Sequence, residues 1–157
     1  MAYKGKYRPQ NPDKYIGDTK DIVYRSLWER GAFKWLDTNS SIRYWNSESV
    51  VVPYLCSSDN RIHKYYLDLW FQTTEGQTFI VEIKPQKECH PPKKPKRQTK
   101  RYIQESLTYV KNQCKWKSAS EYAKDRGWHF EIWTEDTLKS LGIRITNSGP
   151  PRRKSKQ

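Results

Sequence analysis

The sequence predicts a mixed α/β domain, with a central sheet built around an antiparallel hairpin and flanked by helices. Three observations carry this. Residues 64–73 and 77–85 are strand-like runs joined by Thr74-Glu75-Gly76, and a three-residue loop with glycine last is a favoured hairpin connection. Residues 21–37 and the stretch after Gln98 place apolar residues at helical spacing. The order of elements, a helix, three strands, helices, a strand and a helix, fits a mixed layer with antiparallel pairing at its centre.

The chain of 157 residues suits one domain. Apolar residues make up only 34%, yet 7 Trp, 11 Tyr and 4 Phe supply large area for a single core. Residues 1–18 are polar and basic and read as an extended N-terminal arm. The folded domain is expected over 19–149, and residues 150–157, PPRRKSKQ, read as a disordered basic tail.

Residues 21–37 read as a helix with Ser26, Arg30, Lys34 and Asp37 on its polar face. Glu29 falls outside that face, in register with Ala32, Phe33 and Leu36, and so borders the buried stripe. It is placed either to pair with Arg25 or Arg30 or to serve a site. Residues 48–55 read as a strand whose Pro53 suits an edge or an end. Prolines 91, 92 and 95 break the segment 87–101. Helix signals resume near Gln98 and stop at Gly127. In the next strand, His129, Glu131 and Trp133 share one face and Phe130 and Ile132 the other. A short helix begins at Glu135.

Net charge is +13, which implies a polyanionic partner, nucleic acid first. No basic amphipathic helix shows a lipid face, no run approaches the ~18 apolar residues of a membrane span, and the N-terminus lacks an apolar signal core. An intracellular protein with no membrane partner is expected. Cys56, Cys89 and Cys114 are odd in number and widely spaced, which does not suggest a disulfide framework. Cys89 and His90 are adjacent, but no CxxC or HxxxH accompanies them.

The hairpin holds the main anomaly. Asp68, Glu82 and Lys84 stand in mid-strand, where such residues are depleted. If Glu75 is the middle of the loop, Asp68 and Glu82 face each other with Cβ atoms about 5 Å apart. Alternation then puts Glu82 and Lys84 with Asp68 on one face, and Val81, Ile83, Leu67 and Leu69 on the other. Opposed carboxylates repel. Either Lys84 neutralises both, or a divalent cation does. Mg²⁺ takes hard oxygen ligands of this type, completed by water and phosphate.

Asp68, thirteen intervening residues, then Glu82-Ile83-Lys84 resembles the PD-(D/E)xK nuclease superfamily, with Leu67 where proline is usual. An upstream helix carrying a glutamate, SLWERGAFKWL, fits the same pattern. The segments YRSLWERGAFKWLD, YWNSESVVVPY, YYLDLW, VEIKP and KNQCKWKSASEYAKDRGWHFEIWTEDTL resemble the head completion nucleases of T-even-like tailed bacteriophages. The layout is also similar to the catalytic domain of TnsA-type transposon endonucleases.

The resemblance implies a restriction-endonuclease-like core and metal-dependent hydrolysis of a DNA phosphodiester, by internal cutting or end trimming, during phage head completion before tail attachment. It implies that Asp68, Glu82 and the Ile83 carbonyl bind Mg²⁺, with Mn²⁺ able to substitute, that Glu29 completes the site, and that Lys84 orients or activates the attacking water. Glu48 is a rival fourth acid. Gln98 and Tyr102 form a QxxxY pair that abuts the site in some superfamily members. Lys93, Lys94, Lys96, Arg97, Lys100 and Arg101 follow the catalytic strand and would grip the backbone of double-stranded DNA. Lys4, Lys6 and Arg8 and the tail basics would add to this. Steep salt dependence and little base specificity are expected. Phage head or neck proteins are candidate partners, and the host cytoplasm or the virion the location. Two alternatives remain open here: a TnsA-like transposon or repair endonuclease, and a non-catalytic basic DNA-binding protein of the phage head.

Overall fold

The computed structural model describes residues 4–145. In chain order the elements are β1 (Gly5–Lys6), β2 (Val23–Tyr24), α1 (Leu27–Thr38), β3 (Ile42–Ser47), β4 (Val51–Cys56), β5 (Arg61–Tyr66), β6 (Leu69–Thr73), β7 (Thr78–Ile83), α2 (Lys100–Arg126), β8 (His129–Trp133) and α3 (Glu135–Ser140). Short 3₁₀ turns occupy Pro12–Lys14 and Gln86–Cys89. The main sheet has the order β3-β6-β7-β8. Its β3–β6 and β6–β7 pairs are antiparallel, and β7–β8 is parallel.

The hairpin has the expected register: Leu69 faces Val81, Trp70 faces Ile80 and Phe71 faces Phe79. Gly76 takes the left-handed conformation, φ 91°, which glycine adopts without the Cβ penalty. The run read as one strand over 64–73 is two. β5 pairs with β4 in a separate ribbon, and β6 joins the main sheet. Leu67 and Asp68 are the link between layers. Leu67 therefore does not lie with Leu69. It packs with Ile80 and Trp116 on one face of the sheet, while Leu69, Val81 and Ile83 pack on the other.

The first helix begins at Leu27 rather than at residue 21. Ser26 is its N-cap, accepting the Glu29 N–H at 3.1 Å, and Val23–Tyr24 pair with Gly5–Lys6. A capping serine satisfies an otherwise orphan helix N–H, so it sets the boundary. Asp37, expected on the solvent face, is fully buried. It accepts hydrogen bonds from Tyr7 Oη (2.6 Å) and from the backbone N–H of Gln10 (2.6 Å) and Asn11 (2.9 Å). The segment read as a basic arm is thus held against α1 through residues 7–11. The basic tail at 150–157 lies outside the described residues.

β3 has no counterpart among the expected strands. A register shift between Ile42 and Tyr44 interrupts the alternation that marks a strand in sequence. Pro53 sits in the two-stranded β4–β5 ribbon, opposite Lys64, where a missing donor is tolerated. α2 starts at Thr99, whose hydroxyl accepts the Tyr102 N–H at 3.1 Å, and stops at Gly127, φ 72°.

Both faces of the main sheet are covered. One face meets α1 and α3 through Phe33, Leu36, Trp45, Phe71, Trp133 and Leu138. The other meets the β4–β5 ribbon and α2 through Val52, Tyr54, Leu67, Ile80 and Trp116. In β8, Trp133 joins the first cluster while Phe130 and Ile132 pack against the second, as alternation predicts. Among the described residues no helix is long and apolar enough to cross a membrane.

Candidate active site

Asp68 sits at the crossing between layers, and its backbone is anchored around that point. Leu67 N–H donates to Val50 O at 3.0 Å, and Glu48 N–H donates to Asp68 O at 3.3 Å. Its carboxylate continues the hairpin ladder by one step: Oδ2 accepts the Ile83 N–H at 2.7 Å. Burial raises the Asp68 carboxyl well above the usual carboxylate range, and the charge of Glu82 raises it further. The Ile83 N–H and Lys84 pull it back, and the charge of Glu29 adds to the rise. Asp68 thus feels Glu29, Glu82 and Lys84 at once.

Glu82, at the end of β7, is 7% exposed. The Tyr65 hydroxyl donates to its Oε1, and Lys84 Nζ stands 3.3 Å from its Oε2. Burial pulls the Lys84 ammonium down, but Glu82 and Glu88 outweigh this, so its pKa ends above the ordinary value. Lys84 is therefore fully protonated at neutral pH.

Two neighbours were not legible in the sequence. Tyr65 belongs to the β4–β5 ribbon and reaches Glu82 only because that ribbon folds over the sheet. Lys115 comes from the middle of α2. Its Nζ lies 5.3 Å over the Tyr65 ring. It makes no salt bridge among the described residues, and burial lowers its pKa. A cation on an otherwise ordinary helix carries no sequence signal.

Glu29 is half-buried in the first turn of α1. Burial, then the charge of Glu48, raises its pKa to about 7. Glu48 is not on a strand. It lies in the turn after β3 with φ 54°, an unusual backbone for a residue other than glycine. Its carboxylate is paired with Arg25. The Arg25 partner offered to Glu29 by the sequence is thus taken by Glu48, and Arg30 lies over the Tyr24 ring instead.

Lys93, Lys94, Lys96, Arg97, Lys100 and Arg101 are all exposed on the segment leading into α2. Arg101 pairs with Glu105 at 3.3 Å. Gln98 is exposed before the helix, and Tyr102 is in its first turn. Tyr102 and Lys115 are thirteen residues apart on α2, about 20 Å along the axis. The structure brings Lys115, in the middle of the helix, to the carboxylates; Gln98 and Tyr102 lie at its N-terminal start.

The donor set suits a hard divalent cation. Among the described residues no three His, Cys, Asp or Glu side chains enclose an ion as they stand, so an ion here would rest on few protein oxygens. That is the habit of Mg²⁺, which keeps waters and takes phosphate oxygens. Burial first, and then the charge of Glu82, raises the proton affinity of Asp68; a cation bound here would favour the ionised carboxylate.

The model for the TnsA-like endonuclease N-terminal domain matches residues 39–135. The head completion nuclease of Enterobacteria phage T4 is 46% identical over 148 residues, 92% of this chain and 99% of that protein.

Proposed function

Because this chain belongs to the TnsA-like endonuclease family, and with the head completion nucleases of phages, it is a phage nuclease, and we propose that it hydrolyses DNA phosphodiesters with Mg²⁺ held at Asp68 and Glu82. The observation that carries this is the convergence on one sheet end of Asp68, Glu82 and Lys84, with Ile83 N–H locking the aspartate in place.

When bound, the cation polarises the phosphoryl oxygen and makes attack by water easier. The protein does the rest by positioning. Asp68 and Glu82 would hold the ion through their carboxylate oxygens, with the Ile83 carbonyl as a further ligand. Tyr65 fixes the rotamer of Glu82 through Oε1. Lys84, protonated and 3.3 Å from Glu82, orients the attacking water and offsets negative charge on the phosphate. Lys115 adds a second cation from α2. Glu29, holding its proton up to about pH 7, is the group nearest to serving as a proton carrier at the rim. The exposed basic segment after β7 grips the duplex backbone. The place of action is the phage head before tail attachment, in the host cytoplasm, with head or neck proteins as partners.

The test is linear duplex DNA incubated with Mg²⁺ or Mn²⁺ and the wild-type protein, Asp68→Ala or Lys84→Ala. Cutting by wild type alone is expected, with DNA binding kept in both variants. Equal behaviour of all three would leave a non-catalytic DNA-binding protein.

A further inference from the structure

One face of α2 leads from the catalytic cluster into a groove that the catalytic reading leaves unused. Lys115, Asn112, Tyr109 and Thr108 recur at helical spacing and form a row. Lys115 stands over Tyr65 beside the carboxylates. Thr108, Tyr109 and Asn112 line a groove of about 420 Å³. Lys87, His90 and Lys93, on the segment leaving the catalytic strand, line it too. Glu88, also on its wall, is close enough to Lys84 for its charge to act there. The groove therefore starts beside the catalytic cluster.

Its chemistry is selective. Asn112 is only 4% exposed, lines the groove, and makes no side-chain hydrogen bond among the described residues. Its side-chain amide carries both a donor and an acceptor at the groove wall, in reach of whatever enters. Tyr109 and His90 offer flat rings, and Lys87 and Lys93 offer charge for a phosphate. Aromatic rings with cations beside them are the means by which single-stranded nucleic acid is held, and an amide matches a base edge. Of the acids at the groove, Glu105 is paired with Arg101, and Glu88 is close enough to Lys84 to feel its charge. The volume suits a ligand of nucleotide size, not a duplex.

We propose that this groove receives an unpaired nucleotide adjoining the scissile phosphate, so that the favoured substrate is a DNA end with a single-stranded extension. This rests on the nuclease reading and adds a substrate class to it.

The full chain carrying Asp68→Asn, which keeps the groove and stops cutting, is titrated by fluorescence anisotropy with one labelled duplex. The duplex is blunt or bears a short single-stranded extension of either polarity. One extended probe is expected to bind about tenfold tighter than the blunt one. Adding Tyr109→Ala or Asn112→Ala should erase that difference and leave blunt binding unchanged. Tyr109 is half-buried, so its variant tests the groove even where the Asn112 variant fails to fold. Equal binding of all probes, or a preference surviving the Tyr109 change, overturns the proposal. A preference that holds while the wild type cuts no DNA supports the groove and removes the nuclease reading. Cutting with no binding preference removes the groove and leaves the nuclease.

Discussion

Tyr65 donates its hydroxyl to Glu82 Oε1 across the boundary between the β4–β5 ribbon and the main sheet. Both residues are buried, so the bond ties the ribbon to β7. Replacing Tyr65 by Phe keeps the ring and removes the donor. A buried carboxylate short of one hydrogen bond costs about 1–3 kcal/mol. Chemical denaturation should show a loss in that range. DNA cleavage should fall roughly tenfold with DNA binding intact, because Glu82 loses its fixed rotamer. Unchanged cleavage would make the bond purely structural.

Burial, and then the charge of Glu82 across the last step of the hairpin, disfavours the ionised form of Asp68. Asp68→Asn removes one charge and keeps the shape. The metal-free protein should gain about 1 kcal/mol of stability while losing cleavage by about a hundredfold or more. DNA affinity should hold or rise, since an acid beside phosphate is gone. Thermal melting and anisotropy read these effects. A destabilised variant would mean that the Ile83 N–H bond outweighs the repulsion.

Glu29 sets a pH dependence. Burial lifts its folded pKa to about 7, above the ordinary glutamate value of 4.5. Between those values the folded state holds a proton that the unfolded chain has released, so stability falls as pH rises through this window. For a half-buried group the loss is on the order of 1–2 kcal/mol after solvent screening. Urea titrations of metal-free protein from pH 4.5 to 7.5 should show the decline, and Glu29→Gln should flatten it. Added Mg²⁺ should reduce the slope if Glu29 supports the ion.

Asp37 is structural. It is fully buried and accepts from Tyr7, Gln10 and Asn11; burial, and then the bond to Asp37, raises the Tyr7 hydroxyl pKa. Asp37→Ala should cost about 3 kcal/mol by orphaning buried donors. It should also speed amide exchange over residues 4–18 ahead of the sheet. Cleavage per folded molecule should remain near wild type. Preserved protection of that segment would contradict its anchoring role.

Lys115→Gln removes a half-buried cation that has no carboxylate partner among the described residues. Stability should rise by a few tenths of a kcal/mol to about 1 kcal/mol, because the desolvation cost disappears. Cleavage should fall, and the salt dependence of DNA binding should weaken by about one phosphate contact. An unaltered salt slope would place Lys115 outside the DNA path.

Local chemistry made much of the site readable in advance. The glycine-closed loop fixed the register of β6 on β7, and the register put Asp68 opposite Glu82. Alternation then gave Lys84 its face. Glu29 stood out because it broke the polar face of its helix. Tyr65 and Lys115 offered no such sign. Each is an ordinary residue for its element, and each matters only through the layer it packs against.

The chain by itself determined the hairpin, the ends of α2, the faces of β8 and the acid pair, because turns, caps and alternation act over a few residues. Tertiary structure decided that 64–73 would split at Leu67–Asp68, that Asp37 would be buried beneath residues 7–11, and that β8 would lie parallel to β7. Those outcomes depend on which distant apolar surfaces meet and which buried polar groups find partners. No local spacing encodes that competition, and it places Tyr65 and Lys115 at the carboxylates.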